Sequence, residues 1–140
     1  MSLAANKAVM RRLYEEVFTA GMIAEADDLI AAEYVGYDPP DSPTPLRGPM
    51  ALKQVAERMA LAFPDRRFVT EAVIAEGDLV AARVTLAGTH TGPFLDAAPT
   101  GRRVAITGTV TYRLVGGKIV ASWGNWDNLG LLRQLGLLPW

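Results

Sequence analysis

The spacing of apolar residues shifts from helical to alternating at Phe63-Pro64. Before it, Met10, Leu13, Tyr14, Val17 and Phe18 recur at helical spacing, with Lys7, Arg11, Arg12, Glu15 and Glu16 between them. That pattern is the apolar stripe of an amphipathic helix, stopped near Gly21. After it come RRFVTEAVIAEGD, LVAARVTLAGTH, RRVAITGTVTYRLV and KIVASWGNWDN, rich in Val, Ile, Thr and aromatics and divided by turn residues. In RVAITGTVTYR, Val104, Ile106, Val110 and Tyr112 fall on one face, with Ala105, Thr107, Thr109, Thr111 and Arg113 on the other. Helices first and a strand meander second predict an α+β fold, with N-terminal helices packed against a curved antiparallel sheet.

Between the first helix and the strands, Ile23, Ala26 and Ile30 predict a short second helix through about Ala32, followed by a strand at EYVGYD. DPPDSPTPLRG holds four prolines, too many for a helix or a central strand, and reads as a stiff loop. Gly48-Pro49 then opens a third helix with Leu52, Val55, Ala56, Met59 and Phe63 on its apolar face, stopped by Pro64. Glu76-Gly77-Asp78 and Gly116-Gly117 predict tight hairpins. LGLLRQLGLLPW closes the chain as a short helix or an apolar tail. No repeat or linker divides residues 1–140, so one domain is expected.

Composition removes several function classes. A net charge of −1 with scattered Lys and Arg gives no electrostatic reason to expect nucleic acid as a partner. With no cysteine and one histidine, there is no thiol nucleophile, and a metal site would need carboxylates for most of its ligands. Lys7, Arg11 and Arg12 interrupt the N-terminal apolar residues, so no signal peptide is expected. No apolar run approaches the roughly 20 residues of a membrane span. A soluble, cytoplasmic protein with no metal, no membrane partner and no nucleic acid is the expectation.

GTHTGPFLDAAPTGRRVAITG, YRLVGGKIVASW and DNLGLLRQLG, with NKAVMRRLYEEVFTAG and AFPDRRF before them, resemble in order the SnoaL-like polyketide cyclases, a branch of the NTF2-like superfamily. The resemblance runs from about Asn6 to Leu138. It implies an NTF2-like conical barrel, a homodimer or homotetramer, and a cofactor-free site in the cone. It also implies intramolecular aldol ring closure on a planar carbonyl-bearing substrate, a small hydrophobic or polycyclic ligand. That chemistry needs a base for an activated carbon and an acid for the ketone under attack. Two other classes share the scaffold: an isomerase or dehydratase, and a non-catalytic hydrophobic-ligand-binding module.

The resemblance places the family's acid–base residues on the last two long strands. The aligned positions here are Val110, Ser122 and Gly124, none of which titrates. A register slipped by one residue would turn Thr111 or Asn125 inward, still without a carboxylate.

Three residues stand as candidate catalytic groups. Asp127 is the nearest acid on the final strand, and also a good N-cap for the closing helix. His90 lies at a strand end before Thr91-Gly92-Pro93, where an imidazole suits general-base work or a structural bond within the loop. Tyr37 and Tyr34 flank the short strand, and one of them should face the cavity. Asp38 reads either as a base at the cavity mouth or as a turn residue before Pro39-Pro40. For substrate binding the candidates are Tyr34, Tyr14, Phe18, Met59, Phe63, Val110, Tyr112, Trp123 and Trp126. Trp123 and Trp126 have opposite parity, so only one of them can face inward.

Overall fold

A computed structural model describes residues 2–139. The helical stripe becomes α1, Leu3–Arg12, capped by the Ser2 hydroxyl, which accepts the Ala5 amide. The same rod continues as a π-helical stretch, Leu13–Thr19, with Leu13, Tyr14, Val17 and Phe18 buried. Such wide turns are uncommon and are frequent at functional sites. Gly21 ends the rod at φ +75°, a left-handed conformation that glycine adopts without a Cβ clash.

The second helix is shorter than its spacing predicts. A 3-10 turn, Ile23–Glu25, leads into α2, Ala26–Leu29, and Ile30 already belongs to β1, Ile30–Tyr37. Ile30 and Val35 are drawn into the sheet opposite Ile119 and Ala121, and pairing satisfies backbone groups that a one-turn helix leaves open. The proline loop also carries a two-residue strand, β2, Leu46–Arg47, antiparallel to β1. Helix α3, Gly48–Ala62, begins with proline in its first turn and ends before Phe63.

The alternating segments form β3 (Arg67–Glu76), β4 (Leu79–Thr89), β5 (Arg103–Val115) and β6 (Lys118–Trp126). They pair antiparallel in sequence order, with Gly77 and Gly116-Gly117 at positive φ in the two hairpins. Strand β1 joins beyond β6, and runs parallel to it. That pair is the parallel one in an otherwise antiparallel sheet: β1 reaches β6 only through α3 and the whole meander, a long crossover that permits parallel pairing. The order β2-β1-β6-β5-β4-β3 leaves β2 and β3 as edges, so the curved sheet forms an open cone, as the NTF2-like resemblance implies. Register shifts in three of the strand pairs mark bulges, which bend strands.

On β5 the side chains of Val104, Ile106, Val110, Tyr112 and Leu114 are buried, while Ala105, Thr107, Thr109 and Arg113 are exposed. The buried face packs against Met10, Leu13, Val17, Leu52 and Ala56 from the helical rod and α3, in one apolar cluster. The chain closes with α4, Asn128–Gln134. Trp140 lies outside the described residues. No helix among the described residues is long and apolar enough to cross a membrane.

Candidate active site

Between the helices and the inner face of the sheet lies a cavity with about 170 Å³ of water-accessible space, or about 870 Å³ of atom-free space once its open mouth is counted. The β5–β6 ladder makes its floor: Val110 opposite Gly124, Tyr112 opposite Ser122, and Trp126 lying over its partner Gly108. The register predicted by alternation therefore holds, and Val110, Ser122 and Gly124 all face the cavity. The π-helical stretch contributes Leu13, Tyr14 and Phe18, while α3 contributes Leu52, Val55 and Met59.

At Gly108 and Gly36 the missing side chain is a packing requirement. A methyl group on Gly108 would stand 2.4 Å from the Trp126 indole, so glycine lets that ring lie against the sheet. A methyl group on Gly36 would stand 2.1 Å from the Tyr34 hydroxyl, so glycine lets the phenol fold back toward β6. There Tyr34 shares a 2.6 Å hydrogen bond with Ser122. Tyr14 and Tyr112 share another, with both rings buried. Burial pushes the Tyr34 phenol up to about 12, against the pull of its Ser122 bond, and holds Tyr14 and Tyr112 well above the usual range. All three phenols are therefore protonated at neutral pH and available as donors.

The cavity's carboxylate is Asp38, from the start of the proline loop. A methyl group on Gly124 would lie 3.2 Å from the Asp38 carboxyl carbon and 3.3 Å from Oδ2. The carboxylate thus occupies the place that a side chain on β6 would otherwise fill. The residue as a whole is exposed at the rim, yet neighbouring groups strip enough water from its carboxyl to raise it above the ordinary carboxylate range.

Of the residues predicted for substrate binding, Tyr34, Tyr14, Phe18, Met59, Val110, Tyr112 and Trp126 line the cavity. Phe63 is fully buried behind it, tilted against His90 and Phe94 at 5.6 and 5.8 Å between ring centroids. Trp123 has the opposite parity to Trp126, and stacks on Tyr37 on the other face of the sheet, with the Arg113 guanidinium 5.6 Å from its centroid.

None of the three predicted catalytic groups is part of the cavity wall. Tyr37 is held in that outer stack. Asp127 is exposed and caps α4, accepting the Gly130 amide at 2.9 Å. His90 is fully buried, with Thr100 Oγ1 at 3.0 Å and the Thr100 amide at 3.2 Å from Nδ1. An amide can only donate, so Nδ1 is the acceptor and the ring proton sits on Nε2. The imidazole ties the 91–100 loop to the end of β4. Ser122 and Asn128 are the polar wall groups that sequence reasoning did not name for binding.

The pattern of the SnoaL-like polyketide cyclases matches residues 8–135. The chain belongs to that family. Among curated relatives of this SnoaL-like chain, the aklanonic acid methyl ester cyclase DnrD of Streptomyces peucetius is 31% identical over 134 residues, covering 94% of this chain and 90% of DnrD. The structure of TsrD from Streptomyces laurentii superposes with a TM-score of 0.88 at 26% identity, covering 99% of both chains. That of IdmH from Streptomyces antibioticus gives 0.80 at 31% identity, covering 94% of this SnoaL-like chain and 98% of IdmH.

Proposed function

We propose that this chain closes a ring by intramolecular aldol addition on a planar, carbonyl-bearing polyketide, with Asp38 as the base. The observation that carries the reading is the seat of its carboxylate over Gly124, at the mouth of a largely apolar cavity that protonated phenols also line. The base takes a proton from carbon next to a carbonyl. The enolate carbon then bonds to a ketone carbon, and the ketone oxygen takes up a proton from Tyr34, Ser122, Tyr14 or Tyr112. Protonated Asp38 then returns its proton to the donor hydroxyl through solvent at the cavity mouth, so reactant and product are isomers and no oxidant or reductant enters. A raised carboxyl pKa brings the base closer to the carbon acid it must deprotonate, and the apolar walls keep water from quenching the enolate. The exposed Thr-rich face of β5 supports assembly as a homodimer or homotetramer, acting in the cytoplasm.

DnrD's name supplies a first substrate, aklanonic acid methyl ester. Asp38→Asn should lower kcat/KM for its closure by about 100-fold or more, the usual scale for losing a positioned base. An unchanged rate would remove Asp38 from the mechanism. The same substitution has a second readout. Because the folded state raises the Asp38 pKa, the native chain holds a proton that the unfolded chain releases, and stability falls as pH rises through that window. Asp38→Asn removes this penalty, so the inactive variant should be the more stable one at neutral pH. Binding with no turnover by the parent chain would favour the ligand-binding module instead.

A further inference from the structure

Hydrogen-bonding capacity in the cavity is unbalanced in a way that can be counted. Each hydroxyl brings one proton. Tyr34 and Ser122 hold two protons and spend one on their mutual bond. Tyr14 and Tyr112 likewise hold two and spend one. Among the described residues neither pair has a further acceptor, so each keeps one O–H unspent. Asp38 shows the reverse: a carboxylate at the cavity with no hydrogen-bond donor or ion-pair partner among the described residues. All four hydroxyl residues line the same cavity, and Tyr112 and Ser122 are cross-strand partners. They lie one rung, roughly 7 Å along the strands, from Gly124 beneath the carboxylate.

Resting on the aldol reading above, we propose that the two hydroxyl pairs are twin donor sites that read two oxygens of the substrate. The ligand they select is a flat compound with two carbonyl oxygens flanking an acidic carbon. Each pair donates its spare proton to one oxygen, and Asp38 meets the carbon between them. The proton count has a further consequence. Deleting one hydroxyl of a pair frees the proton of the other, so the donor survives a single substitution. Only loss of both hydroxyls removes it.

Three neutral probes with one carbon skeleton test this: benzoylacetone, butyrophenone and butylbenzene, carrying two, one and no oxygens. Calorimetric affinities on the parent chain should fall in that order, by roughly 3- to 10-fold per oxygen, the scale of one net hydrogen bond. The double variants Tyr34→Phe/Ser122→Ala and Tyr14→Phe/Tyr112→Phe should each bind benzoylacetone about as the parent binds butyrophenone. Unchanged butylbenzene affinity in both reports an intact cavity. The single variants Ser122→Ala and Tyr112→Phe should stay within about 3-fold of the parent for benzoylacetone. Equal binding of the three probes, or doubles that keep the preference for two oxygens, would overturn the twin-donor proposal and leave the aldol reading standing. Singles that lose as much as doubles would overturn the shared-proton count. If none of the probes binds the parent chain, the cavity reading itself falls, and the proposal with it.

Discussion

Gly124→Ala tests whether the carboxylate works from its place over β6. The backbone there is not in the left-handed region, so alanine fits the chain conformation. Replacing glycine where the conformation permits gains about 0.4–1 kcal/mol from the unfolded state. Against that gain stands the new methyl group, 3.2 Å from the Asp38 carboxyl carbon, where ordinary contacts begin nearer 3.4 Å. The carboxylate is the free end of a side chain at the rim, so it yields by a few tenths of an ångström and the backbone stays in place. Stability should therefore remain within about 1 kcal/mol of the parent chain. Catalysis is less tolerant. A misplacement of 1 Å at a reacting group can cost about 100-fold, so a third to half of that costs roughly 4- to 10-fold. The methyl also removes water from a carboxyl that burial already raises, and so shifts the rising limb of kcat/KM to higher pH. Urea melts and pH profiles of kcat/KM on the purified variant measure both effects. A folded Gly124→Ala chain with the parent's kcat/KM at every pH would show that the base does not act from this seat.

Two residues outside the cavity should behave structurally. Asp127→Ala removes the α4 cap and should cost about 1 kcal/mol in urea melts with kcat/KM unchanged, since its carboxylate is spent on the Gly130 amide. His90→Ala empties a buried site against Phe63 and Phe94 and strands the Thr100 amide. It should cost about 2–4 kcal/mol. The pH at which kcat/KM rises should not move, because the imidazole lies outside the cavity; a shifted limb would bring His90 back into the chemistry.

How far the site was legible depends on how local each signal is. Alternation along β5 placed Val110 and Tyr112 on one face, and the opposite parities of Trp123 and Trp126 required one ring to point outward. Those statements need only the strand's own geometry. The choice between the two tryptophans did not follow from parity. It was decided by Gly108, which makes room for Trp126 across the ladder. Asp127 could be read as a cap or as a catalyst from its neighbours, and its short contact to Gly130 selects the cap. His90 had two readings for the same reason, and Thr100 supplies the partner that holds it in the loop.

Period and punctuation in the chain itself determined helices before strands, both glycine hairpins and the inner face of the sheet, because these depend on residues a few positions apart. Tertiary structure alone decided the parallel pairing of β1 with β6, the early end of α2 and the polar content of the cavity. Tyr34 meets Ser122 across 88 positions, Tyr14 meets Tyr112 across 98, and Asp38 comes to rest over a glycine on another strand. No local pattern encodes such meetings. They exist only once packing of the helical rod against the sheet has brought distant segments to one place.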